Sequence, residues 1–118
     1  MDSDFFSLLN LRHAIETRDS KAMRGFYADD ATLTIIDRDH PPSRPQRIVG
    51  GAAIGGYFDD VCGRAMTHRL ENGVVDGDRL AFTQACAYRD GMRVFCAAMA
   101  ELRDAKIVRQ TVVQAWDA

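Results

Sequence analysis

Basic charge is not in excess in this sequence of 118 residues, where 15 lysines and arginines meet 17 aspartates and glutamates for a formal net charge of −2. Binders of nucleic acid or anionic membranes normally carry a basic field, so neither partner is expected. No run approaches the roughly 20 apolar residues of a membrane span. The first residues, with Asp2 and Asp4, lack the positive start of a secretory signal, so a soluble cytoplasmic domain is expected. Cysteine is scarce. Cys62, Cys86 and Cys96 stand in no C-x-x-C spacing and among small or apolar neighbours, which reads as buried free thiols. His13, His40 and His68 are far apart and form no ligand pair, so no metal is expected. Without a glycine-rich phosphate loop, no nucleotide cofactor is implied. What is present is an ordinary globular balance, 47% apolar and 27% charged, at a length that suits one domain over residues 1–118.

The first half carries helical spacing. Phe5, Leu8, Leu9, Leu11 and Ile15 recur on one face, with Ser3 or Asp4 in position to cap. A second short helix is predicted from Ser20, with Ala22, Met23, Phe26 and Tyr27 on its apolar side and Asp29-Asp30 as turn formers at its end. Thr32 to Ile36 is rich in β-branched residues and reads as a strand. Arg38 to Arg47 holds Pro41, Pro42 and Pro45, which predicts an exposed loop, a lip over any opening. Gly50-Gly51 opens a third helix with Ile54, Tyr57, Phe58 and Val61 as its stripe. From Met66 the period becomes two. Strands over roughly 66–75, 79–89, 93–102 and 106–116, separated by Asp76-Gly77-Asp78, Arg89-Asp90-Gly91 and Arg103-Asp104-Ala105, predict an antiparallel meander. Helices set apart from a run of strands make an α+β fold.

Alternation assigns the even meander positions to one face. That face holds most of the large apolar groups, and so should pack on the helices. It also holds His68, Asn72 and Val74, Gln84, Cys86 and Tyr88, and Gln110, Gln114 and Trp116. An amide buried without partners costs on the order of 1–3 kcal/mol. These amides are either tied to backbone at strand ends or converge on a small molecule. On the odd face Ala81, Thr83, Ala85, Ala87, Phe95, Ala97 and Met99 leave the centre uncharged, which predicts a homodimer through the outer sheet face. On helix one, Arg12 and Glu16 share the apolar stripe four residues apart. They make either a surface ion pair or a carboxylate aimed at the pocket.

The order helix, helix, strand, helix, meander goes with Phe26-Tyr27-Ala28-Asp29-Asp30-Ala31-Thr32, Thr67-His68, Asn72, Val75-Asp76-Gly77-Asp78, Tyr88 and Lys106-Ile107-Val108. Together they resemble the nuclear transport factor 2-like superfamily, specifically its SnoaL-like branch, over nearly the whole chain. The resemblance implies a cone-shaped α+β barrel, with three N-terminal helices packed on a strongly curved, mainly antiparallel sheet. It implies no single activity, because the superfamily includes steroid isomerases, polyketide cyclases, epoxide hydrolases, dehydratases and non-catalytic domains. Set against ketosteroid isomerases, the places of the tyrosine and two aspartates hold Leu11, Ile35 and Ala100, so that triad is missing; Ala100 also takes the place of the acid/base aspartate of SnoaL-type cyclases. Set against scytalone dehydratase, the helix-one carboxylate, the two histidines and a helical-side tyrosine fall at Glu16, His68, Gln84 and Asp37. Gln84 can orient a carbonyl but cannot shuttle protons.

Three functions follow from these residues. One is cofactor-independent acid–base chemistry of isomerase, dehydratase or cyclase type on a small, largely apolar molecule, with His68, Glu16 and Asp37 as the catalytic candidates. Another is binding alone, with Gln84, Gln110, Gln114, Tyr27, Tyr57, Cys86, Tyr88 and Trp116 as the pocket. The third is a dimerisation module.

Overall fold

The computed structural model describes residues 5–117. In chain order the elements are α1 (Leu8–Glu16), α2 (Ser20–Gly25), β1 (Tyr27–Ile36), β2 (Gln46–Val49), α3 (Gly51–Cys62), β3 (Met66–Asp76), β4 (Arg79–Tyr88), β5 (Arg93–Arg103) and β6 (Lys106–Trp116). The strands form one six-stranded sheet in the order β2-β1-β6-β5-β4-β3, antiparallel except for the β1–β6 pair. The three helices pack on this curved, mostly antiparallel sheet, the α+β cone that the pattern of elements predicts. No described helix is long and apolar enough to cross a membrane.

The first helix starts later than its apolar spacing suggests, and the second one residue earlier. The capping positions expected at Ser3 and Asp4 lie outside the described residues. Ser7 caps α1, its side chain accepting from Asn10 N at 3.1 Å. The buried stripe is therefore Leu11, Ala14 and Ile15. Phe5, which precedes the cap, and Leu9, a helical step off the stripe, are each 74% exposed. Asp19 rather than Ser20 caps α2. Its chain turns at Phe26 and runs straight into β1, so Asp29 and Asp30 are exposed strand residues, paired with Arg24 and Arg103 rather than closing a helix. The proline segment ends sooner than expected, at Gln46, where β2 adds an edge strand to β1.

Two bulges decide which meander residues look inward. The two-residue turn between Asp76 and Arg79 pairs even residues of β3 with odd residues of β4. An irregularity at Leu70/Asn72 inserts one residue and restores the even match, setting His68 opposite Cys86 and Leu70 opposite Gln84. Asn72 and Val74, on the turn side of the bulge, are thereby rotated to the outer face: the Asn72 carboxamide reaches Thr83 Oγ1 at 3.3 Å and Val74 is exposed. The Asp104-Ala105 turn and the bulge at Glu101/Leu102 do the same for β6, bringing Gln110 opposite Ala100 and Gln114 opposite Cys96. Ile107 takes the inward place expected of Val108 and is fully buried.

Two apolar clusters result. The larger joins α1, α2, α3 and β1 to the middle of the meander through Leu11, Ile15, Leu33, Ile54 and Leu80. The smaller joins Met66, Cys86, Val94 and Cys96, with Tyr88 and Trp116 packed against it.

Candidate functional site

A cavity of about 300 Å³ borders residues of both clusters. Ile15, Leu33, Ile35, Phe58, Phe82 and Val112 supply apolar wall. Polar groups enter it from three directions, each brought there by a separate piece of the sheet.

Deepest is the pair from β1 and β6. Tyr27 is 3% and Gln110 5% exposed, and the Tyr27 hydroxyl donates to Gln110 Oε1 at 2.5 Å. Burial first, and then the nearby Tyr57 hydroxyl, pushes the Tyr27 phenol well above its ordinary range, so it remains a neutral donor. From α3, Tyr57 is pushed up to about 12, chiefly by burial, partly offset by the Gln114 side chain.

On β3 and β4, His68 Nδ1 stands 3.1 Å from Cys86 Sγ. Gln84 Oε1 is 3.9 Å from the same sulfur. Cys96, one strand over, acts on Cys86 most strongly: donation from its thiol, together with the His68 contact, outweighs burial and holds Cys86 down at about 5. Cys96 itself is pushed far up because it keeps the proton it donates. The other ring nitrogen, His68 Nε2, is buried and has no hydrogen-bond partner among the described residues; Trp116 Nε1 is in the same condition.

The mouth is built by the β1–β2 connection and the end of β6. Asp37 Oδ1 lies 2.8 Å from His40 Nδ1 and accepts from Asp39 N at 3.0 Å. The backbones of Asp37 and His40 bond each other reciprocally, which folds this part of the proline segment into a tight turn. Arg38 stacks 4.2 Å above the Trp116 ring, Trp116 stacks on Tyr88, and the Tyr88 hydroxyl accepts from Arg64 at 3.2 Å.

His68, Asp37, Gln84, Gln110, Gln114, Tyr27, Tyr57, Cys86, Tyr88 and Trp116 all border this cavity. Glu16 does not. It ends α1 in the open, where its carboxylate accepts from Leu70 N at 3.2 Å, and it borders a separate groove with Arg18, Thr67 and Arg89. The physical reason is that β3 is the outermost strand: its edge N–H groups need acceptors, and Glu16 serves one. No ion pair joins it to Arg12 among the described residues. Cys96, Arg38 and Arg64 are cavity residues that spacing did not single out. Cys96 was recoverable, since it shares even parity with Cys86 on adjacent strands. Arg38 and Arg64 were not, because nothing local fixes how a loop or a helix exit lies over a sheet. Leu11, Ile35 and Ala100, the places that hold acids or a tyrosine in ketosteroid isomerases, are buried apolar positions.

Comparison with known proteins agrees with this architecture. The SnoaL-like domain profile matches residues 8–110. No curated protein matches the chain. Among solved structures, an NTF-2 like protein of unknown function from Burkholderia xenovorans LB400 is 20% identical, with a TM-score of 0.75 over 93% of this chain and 79% of its own. A protein provisionally named a ketosteroid isomerase, from Kribbella flavida DSM 17836, is 16% identical with a TM-score of 0.74 over 93% of this chain and 74% of its own. One provisionally named a polyketide cyclase, from Sinorhizobium meliloti, is 19% identical with a TM-score of 0.64 over 86% and 87%. Identities this low carry the fold and not the reaction. With the profile covering most of its length, the chain belongs to the SnoaL-like domain family.

Proposed function

We propose that the cavity takes a small, largely apolar carbonyl compound and that His68 exchanges a proton with it without a cofactor. The observation that carries this reading is the pair of buried ring nitrogens, His68 Nε2 and Trp116 Nε1, in the wall of one cavity and without partners among the described residues. Each unpaired polar group costs about 1–3 kcal/mol, which an acceptor on a bound molecule recovers. A volume of about 300 Å³ sits at the small end of ligand sites. Apolar wall supplies affinity, while Gln84 and the two ring nitrogens fix orientation. Asp37 and His40 form a second proton-carrying pair at the mouth, in place of the carboxylate expected from Glu16.

Solvent-deuterium exchange at the α-carbon of cyclohexanone, a generic small ketone, tests the chemistry when followed by NMR. The wild type accelerates exchange, and His68→Ala removes the acceleration while leaving the melting temperature within a few degrees. Exchange that survives His68→Ala refutes the role of His68. Stabilisation of the protein by the ketone with no exchange favours the non-catalytic binding reading, in which Gln114→Ala lowers affinity.

We also propose a homodimer through the outer sheet face. Val74, Phe95, Met99 and Val113 are all large apolar side chains on that face and all are exposed, between 47% and 67%.

A further inference from the structure

Proton exchange at His68 leaves Cys86 unused, although it is the group nearest that ring. Strand register sets the two directly opposite each other, both side chains border the cavity, and sulfur and Nδ1 are 3.1 Å apart. Cys96 on β5 is packed in the same buried cluster, and Gln84 Oε1, 3.9 Å from the sulfur on its own strand, is an acceptor for the thiol proton. A buried free thiol that only fills space needs none of these.

We propose that Cys86 is a nucleophile that adds covalently to a small α,β-unsaturated carbonyl compound, with His68 as the partner that carries its proton. The inference rests on the reading that this cavity admits a small carbonyl compound. The thiol and the imidazole share one proton. When it lies on Nδ1, the sulfur is a thiolate and Nε2 also carries a hydrogen. The sulfur lone pair then forms a C–S bond at the β-carbon. The electrons of the C=C bond move toward the carbonyl, whose oxygen accepts from His68 Nε2–H. The shared proton finally passes to the α-carbon, directly or through the enol, and His68 returns to its neutral form. The net change is addition of S–H across C=C, and no oxidant or reductant enters. Thiolate character at Cys86 agrees with this, because donation from Cys96 and the contact with His68 outweigh its burial. Charged groups on the facing wall come from the β1–β2 connection and the exit of α3: Asp37, Asp39 and Arg38, and Arg64, with His40 held on Asp37.

Cys62 is the internal control. It borders the same cavity from α3, has no histidine partner among the described residues, and burial shifts its thiol upward. The folded wild-type protein is incubated with cyclohex-2-enone at about pH 6, and intact mass followed by peptide mapping reads the adduct. One adduct forms, on Cys86, at least about tenfold faster than on Cys62. Cys86→Ser abolishes it, and His68→Gln slows it about tenfold or more. Faster labelling of Cys62, or an unchanged rate in a folded His68→Gln variant, overturns the proposal. Should His68→Gln not fold, ultraviolet thiolate absorbance decides: at pH 6 the wild type shows it and Cys86→Ser does not, and its absence from the wild type overturns the proposal. Deuterium exchange into cyclohexanone without any Cys86 adduct sinks this inference alone. No stabilisation by either ketone sinks both readings.

Discussion

Cys86 and its neighbours carry a consequence for stability as well as chemistry. In the folded chain the Cys86 thiol loses its proton near pH 5, against an ordinary value of 9.0 in the unfolded chain. Between those limits the unfolded state binds more protons than the folded one, so stability rises with pH across the window, is complete above about pH 9 and is lost below about pH 5. Cys96, shifted upward, is protonated in both states over the same range and adds no slope there. Urea denaturation at about pH 5.5 and about pH 8 therefore gives a larger increase for the wild type than for Cys86→Ser. Equal increases in the two proteins would mean that the thiol keeps its proton. At this scale the sequence was legible as residue type and parity. Alternation groups residues along each strand, but His68 and Gln110 share the inner face with Gln84, and His68 stands opposite Cys86, only because of the bulges at Leu70/Asn72 and Glu101/Leu102.

Elements show where local pattern stops being sufficient. Strand lengths in the meander followed the two-residue period and the Asp-Gly signals closely. Parity across the β3–β4 and β5–β6 hairpins did not follow from the turns, which pair odd with even, and only the bulges restored it, whereas the β4–β5 turn pairs even with even directly. The short β2 was hidden because prolines nearby argue for loop, and tertiary pairing with β1 overrides that local preference. Glu16 was misplaced because helical spacing says which residues share a face but not how a helix end meets a sheet edge. Helix α3 makes the same distinction testable. Gly56 is exposed, and an added methyl there would meet nothing within 4 Å, so Gly56→Ala stabilises by about 1 kcal/mol through helix propensity alone. Gly51 is buried under Arg24, whose guanidinium would stand 2.2 Å from an added Cβ while also donating to Tyr27 O at 2.9 Å and pairing with Asp29. Gly51→Ala, at the first position of the helix where the propensity gain is smaller, therefore lowers the melting temperature. Thermal unfolding of both variants checks this, and a stabilised Gly51→Ala would show that Arg24 moves aside freely.

For the whole molecule, the sheet separates two surfaces with different demands. Its inner face is filled by helices and cavity. Its outer face keeps charge toward the strand ends and the rim, as where Glu101 bridges Arg79 and Arg109, and leaves the middle to Phe95, Ala97, Met99 and Val113. Ala97 lies centrally there, opposite Thr83 on one neighbour and Val113 on the other. Its side chain is exposed in the single chain, so a larger residue there extends toward solvent. If two copies join through this face, Ala97→Glu buries two uncompensated carboxylates at the centre of the contact, at a cost of several kcal/mol per ion. Sedimentation velocity then gives a dimer for the wild type and a monomer for Ala97→Glu, while circular dichroism and the labelling of Cys86 on the opposite face stay unchanged. A dimer that survives the substitution would place the contact elsewhere and leave the apolar middle of the sheet without a role in assembly.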